Sequence, residues 1–281
     1  MKQIRTGFLS VFIGLALAAL SASAHAAVAS DARQAAMPGA AKKTCGAITV
    51  VAAADLTYAM NEVVANFEKA TGCVVRLSMG SSGNFLMQIE NGAPFDVFFS
   101  ADIAYPKKLE AEGFAAPGST YLYALGKIVL WVRNDSRLDI SKGLEVLRDP
   151  SIQKIAIANP LHAPYGRAAE EALRKAGVYD AVKNKLVLGE STSQAAQFVE
   201  SGNADIGILA LSLVAPPTLK VQGRSWMIPE DLYAPIQQGA VAVRASQNPE
   251  AAREFLEYVK TPAMVALLER YGLALPGKGK P

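Results

Sequence analysis

The residues that most often carry enzyme or metal chemistry are scarce here. The 281-residue chain has two histidines and two cysteines. One histidine, His25, falls in an N-terminal segment that is read below as removed. His162 then stands alone, with no ligand partner at helical or turn spacing, and reads as an exposed loop residue rather than part of a metal site. There is no G-x-G-x-x-G and no Walker A motif. The stretch "GSSGN" (80–84) is not G-x-S-x-G, because its second glycine comes one residue early. The adjacent pair Glu170–Glu171 reads as a solvated helix face. A serine nucleophile at Ser82 is the one enzymatic alternative these absences leave, and the expectation is that the protein is not an enzyme.

Excess charge is also missing. The formal net charge is +3. Without Lys2 and Arg5 the balance is 26 basic to 25 acidic residues, a net of about +1. That is too little to argue for a nucleic acid or an anionic membrane as partner. Beyond the N-terminus no apolar run approaches the ~20 residues of a membrane span.

The N-terminus itself is informative. Lys2 and Arg5 precede a short apolar run, Gly7 to Leu20, and the small residues "SASAHAA" follow. This is the pattern of a signal peptide over residues 1–26, with cleavage after Ala24 or Ala26. No cysteine stands at either site, which argues against a lipoprotein. Residues 27–44 are small, polar and aperiodic, and read as a flexible leader. Export makes Cys45 and Cys73 candidates for a disulfide, since each sits just before an expected strand, at one edge of a shared sheet. Such a bridge is worth roughly 3–4 kcal/mol in the chain-entropy model; the alternative is two unpaired thiols.

From Ala47 onward, short apolar runs alternate with helical periods. "ITVVAAA", "VVRLSMG" and "FDVFFSAD" read as strands, with helices over Leu56–Thr71, from Ser81, and over 103–112. This βαβαβ order predicts a parallel, doubly wound sheet. "TYLYALGKIVLWVR" (120–133) and "PIQQGAVAVR" (235–244) are long β segments that suit crossings between two lobes. Between them "KIAIANP", a helix over 167–176, "LVLGE", a helix over 193–201 and "ADIGILAL" repeat the alternation. The expected division is residues 45–125 with 240–281 in one lobe and 126–239 in the other.

Four strand-to-helix junctions share small or hydroxyl residues: "AAADLT" (52–57), "MGSSGN" (79–84), "NPLHAPYGRA" (159–168) and "GESTSQA" (189–195). The C-terminal ends of parallel strands in both lobes face one crevice, where such sheets bind ligands. Ser81, Ser82, Tyr165, Thr192 and backbone N–H groups there form a ring of neutral donors suited to an oxyanion. Asp55, at the first junction, is the exception. It reads either as an N-cap facing away from the site or as a carboxylate at the rim, where a dianion is tolerated only if a proton is shared.

The blocks "GSSGNFLMQIENGAPFDVFFSAD", "YALGKIVLW", "IANPLHAPYGRAAEEAL" and "GNADIGILALS" resemble periplasmic molybdate-binding proteins, the substrate-capturing subunits of ABC importers. The resemblance spans residues 47–275. It implies an α/β, type II periplasmic-binding-protein fold with two doubly wound lobes joined by two crossover strands. It also implies molybdate or tungstate bound between the lobes, no cofactor of the protein's own, a membrane permease as partner, and a monomer in the periplasm. Carried onto this sequence, the site takes in Ala54 and Asp55, Ser82 with Ser81 beside it, Tyr165, and the backbone N–H of Thr192. Two positions depart from the family pattern. Asp55 stands where members carry Ser or Asn, and Ala210 stands where some supply a tyrosine, a role Tyr165 is placed to take. Sulfate, phosphate or another XO₄ anion is the alternative ligand.

Overall fold

A computed structural model describes residues 46–275. The expected signal peptide and leader, and Cys45, lie outside the described residues. Cys73 is buried and is not a free thiol, and the Cys45 half of the expected pair falls outside that range.

The first lobe opens with β1 (Ala47–Ala53), a 3-10 turn (Ala54–Leu56), α1 (Thr57–Thr71), β2 (Val74–Gly80), α2 (Ser82–Glu90), β3 (Val97–Ser100), α3 (Ala104–Ala111) and β4 (Tyr121–Gly126). The second holds β5 (Ile128–Arg133), β6 (Ile155–Ala158), α4 (Pro164–Lys175), α5 (Tyr179–Val182), β7 (Leu186–Gly189), α6 (Thr192–Glu200), β8 (Ile206–Ala210), α7 (Leu211–Val214), α8 (Pro217–Lys220) and β9 (Gly223–Met227). The chain then returns to the first lobe with β10 (Ile236–Ala242), α9 (Pro249–Val259) and α10 (Pro262–Arg270).

Each lobe is built on one five-stranded sheet, ordered β2-β1-β3-β10-β4 and β7-β6-β8-β5-β9. The unbroken apolar run of β1 follows from burial on both faces. Ile48, Val50 and Ala52 pack with α1, α9 and α10 through Val63, Phe67, Phe255 and Leu268, while Val51 and Phe98 meet Phe85 and Leu109 of α2 and α3 on the other side. Phe67 and Phe255 meet edge to face at 4.9 Å. The second sheet is covered the same way, around Trp131, Ile157, Leu173 and Leu209.

The sheets differ from the expected parallel form in one respect. β1 pairs in parallel with β2 and β3, and β6 with β7 and β8, but β10 and β5 run antiparallel to their neighbours. The reason is topological: a strand arriving from the other lobe enters at the crevice and must run away from it. The crossings are also shorter than the sequence suggested. The long segment 120–133 breaks at Lys127 into β4 and β5, one in each sheet. The segment 235–244 does not cross; β10 begins at Ile236 within the first sheet, four residues before the boundary at 240 read from the sequence, and residues 228–235 make the second crossing. α4 begins at Pro164 rather than Arg167, because a proline is tolerated in the first turn, where its missing N–H has no acceptor.

Candidate functional site

The earlier start of α4 matters for the site, since it places Tyr165 in the first turn of a helix that faces the first lobe. The two lobes are in contact across the crevice through polar groups at the strand ends. Ser193 Oγ donates to the Ala54 carbonyl at 2.8 Å, and Thr57 Oγ1 donates to the same oxygen at 2.7 Å. Ser81 Oγ and the Gly83 N–H both donate to the His162 carbonyl, at 2.5 and 2.9 Å. A Cβ on Gly83 would stand 2.7 Å from that carbonyl, so the approach of the lobes here requires glycine. Arg167 of α4 reaches Asp102 and the Tyr105 hydroxyl at the rim, at 2.5 and 2.9 Å.

Asp55 is not a helix cap. Neither the 3-10 turn that contains it nor α1 has a side-chain cap bond. Its carboxyl is buried at 1% exposure and turned into a polar cluster shared by the two lobes. The Tyr165 hydroxyl donates to Asp55 Oδ2 at 3.0 Å, and Gln238 Nε2 donates to the same oxygen at 2.8 Å. Gln238 Nε2 also donates to the Tyr165 hydroxyl at 2.8 Å. The orientation of the Gln238 amide is fixed by its other end, where Oε1 accepts from the Tyr123 hydroxyl at 2.6 Å. Asp55 Oδ1 is buried and has no partner among the described residues.

Burial pushes the Asp55 carboxyl up to about 7, against the opposing hydrogen bonds from Gln238, Tyr165 and its own backbone N–H. No cation contributes. Burial and the adjacent carboxyl hold the Tyr165 and Tyr123 phenols well above their ordinary value, so both remain neutral donors.

Ser82 and Thr192 are each placed by a backbone N–H from the neighbouring strand. Ser82 Oγ accepts from the Ala101 N–H at 2.9 Å, and Thr192 Oγ1 accepts from the Ala210 N–H at 3.3 Å. Used as acceptors, both hydroxyls keep their own protons available. Thr192 is also the first residue of α6. Ser191 caps that helix by accepting from the Gln194 N–H, which leaves the N–H groups of Thr192 and Ser193 without an intrahelical acceptor at the electropositive end. Of the residues expected to meet a ligand, Ser82, Thr192 and Asp55 Oδ1 thus retain hydrogen-bonding capacity. The hydroxyls of Ser81 and Tyr165 and the carbonyl of Ala54 join the lobes to one another.

Sequence reasoning missed Gln238, fully buried in β10, and the carbonyl of His162. The signal for Gln238 was a Gln-Gln pair inside an apolar strand: alternation turns one of the two inward. The His162 imidazole is partly exposed, with Nε2 3.1 Å from a Glu190 carboxylate oxygen. Among the described residues no group of three His, Cys, Asp or Glu side chains could hold a metal ion, and no helix is long and apolar enough to cross a membrane.

The chain is similar in sequence and fold to known proteins. Residues 48–274 match the family described as bacterial extracellular solute-binding protein. The molybdate-binding protein ModA of Rhodobacter capsulatus is 44% identical over 227 residues, 81% of this chain and 88% of that protein. The protein of the same name from Azotobacter vinelandii is 42% identical over 228 residues, 81% of this chain and 90% of its own length. The solved structure of the Azotobacter vinelandii periplasmic molybdate-binding protein is similar in fold, with a TM-score of 0.77 and 38% identity, over 82% of this chain and 99% of that one. With a matching family model over most of its length and relatives that are binding proteins rather than enzymes, the chain belongs to the bacterial extracellular solute-binding proteins.

Proposed function

We propose that the protein captures a tetrahedral oxyanion, molybdate or tungstate, between its two lobes in the periplasm and delivers it, as a monomer, to the membrane permease of an ABC importer. One observation carries the class of ligand. The Ser82 and Thr192 hydroxyls, each held by a backbone N–H with its own proton available, stand at the strand ends of opposite lobes, and among the described residues no lysine or arginine joins the polar cluster around Asp55. Neutral, preorganised donors hold a multiply charged anion without a permanent countercharge that would have to be broken on release. The relatives' names narrow the anion to molybdate.

The proposed site is the Ala54–Asp55 turn, Ser82 with Ser81 beside it, Tyr165, and the N–H of Thr192. The anion is the cargo, and the reading asks for no resident cofactor. Bonds such as Ser193 to Ala54 and Ser81 to His162 would form on closure, completing a ring that neither lobe offers alone.

A thermal melt with and without each anion tests this. A ligand present at ~100 times its Kd adds roughly 2.7 kcal/mol, a shift of a few degrees. Stabilisation by molybdate and tungstate is expected. A melt unmoved by molybdate, tungstate, sulfate and phosphate would remove the transport reading.

A further inference from the structure

The hydrogen bonds around Asp55 favour one of its two oxygens as the place for a proton. Oδ2 accepts from two donors, Tyr165 and Gln238, at 3.0 and 2.8 Å. The amide is oriented by Tyr123, which donates to its oxygen, and the Tyr165 hydroxyl, which itself accepts from Gln238, turns its proton to Oδ2. A proton on Oδ2 would point at one of them. The acid form of Asp55 therefore carries its proton on Oδ1, the oxygen that is buried and has no partner among the described residues.

Among the described residues no charge next to Asp55 would strip this proton. The titratable groups in the cluster are the phenols of Tyr165 on α4 and Tyr123 on β4. Charged groups on the neighbouring elements are engaged elsewhere. Arg167 of α4 binds Asp102, and Glu171 of α4 pairs with Lys175 and the Ala234 N–H. Glu62 of α1 is held by Arg270 and Tyr271. Glu200 lies at the opposite end of α6 and borders Tyr58. An ionised Asp55 would then add a third negative charge to a dry crevice that already has to take a dianion.

We infer, on the reading that the crevice binds molybdate, that Asp55 acts as a neutral carboxylic acid whose Oδ1–H donates to the bound anion, so that each anion is taken up together with one proton. This makes Asp55 a donor where a serine or amide would otherwise serve, and a residue that sets which charge state of cargo the protein accepts. The raised titration of the buried carboxyl, to about 7, agrees with the geometry. Binding at a pH above that value draws the proton from solvent.

Calorimetric titration of the purified full chain with sodium molybdate, at pH 8 in two buffers of different ionisation enthalpy, counts the protons. Uptake close to one per anion is expected, with affinity falling up to about tenfold per pH unit above pH 7. Asp55→Asn keeps a donor at that position that cannot ionise. It should show no uptake and a flat pH profile, and should bind tighter than the native protein above pH 8. Native binding with no proton uptake and a flat profile from pH 6 to 9 would overturn the inference while leaving the molybdate reading intact. Absence of any molybdate binding at pH 6 would overturn that reading itself. If Asp55→Asn does not fold, the proton count on the native protein decides alone.

Discussion

Gly126, the last residue of β4, faces the hydroxyl of Tyr165: a Cβ there would stand 2.2 Å from that oxygen. The glycine gives Tyr165 of the second lobe its path to Asp55 of the first. Gly126→Ala should displace the ring from the cluster. Overpacking of this kind costs roughly 1–3 kcal/mol, readable as a lower urea midpoint, and it should weaken anion binding as well. Native stability and affinity in this variant would mean that the Tyr165–Asp55 bond is dispensable.

Gly83 separates closure from ligand contact. Its N–H meets the His162 carbonyl at 2.9 Å, and its missing Cβ is what allows that approach. Alanine is a better helix former than glycine, so Gly83→Ala should not harm α2. It should instead hold the lobes apart, weakening molybdate binding and reducing the contraction seen by small-angle X-ray scattering when molybdate is added. A variant that contracts and binds as the native protein does would remove the closed crevice from the account.

Ser82→Ala removes one hydroxyl that is oriented by Ala101 and free to donate. Loss of a hydrogen bond to a charged group costs about 1.5–3 kcal/mol, or ~10- to 150-fold in affinity. Ser81→Ala should be milder, because the Ser81 hydroxyl bonds the His162 carbonyl of the protein itself. Equilibrium titration of the two variants distinguishes the roles, and a larger effect at Ser81 than at Ser82 would exchange them.

Asp55 also shapes stability without ligand. Its carboxyl titrates at about 7 when folded, against an ordinary 3.8. Between those values the folded chain holds a proton that the unfolded chain has lost, so stability falls as pH rises from about 4 to 7 and levels off above. The slope from this one group is at most ~1.4 kcal/mol per pH unit. Unfolding free energies of the native protein and Asp55→Asn, compared at pH 5 and pH 7, isolate the effect from carboxylates held low, such as Glu171 and Asp149. The native protein should lose stability relative to the variant at the higher pH. A constant difference would mean that Asp55 is ionised in the fold.

Much of this was legible in the residues. The period-2 and helical runs placed most of the long strands and helices, and the hydroxyl-rich junctions marked Ser82 and Thr192. The local pattern could not fix how Asp55 is used. A carboxylate just before a helix is the usual cap, and only tertiary packing, through Gln238 from a strand 183 residues away, turns it inward. The antiparallel course of β5 and β10 was hidden for a similar reason, since strand direction depends on which lobe the chain has just left. The helix expected over 167–176 begins at Pro164, and the local pattern did not show it because a proline marks helix starts as well as breaks.

Calorimetric titration of the full chain with molybdate, sulfate and phosphate at pH 6 tests the central claim most directly. One molybdate per chain is expected, with sulfate and phosphate binding far more weakly or not at all. Saturable binding of sulfate or phosphate in preference to molybdate, or no heat with any of the three, would contradict it.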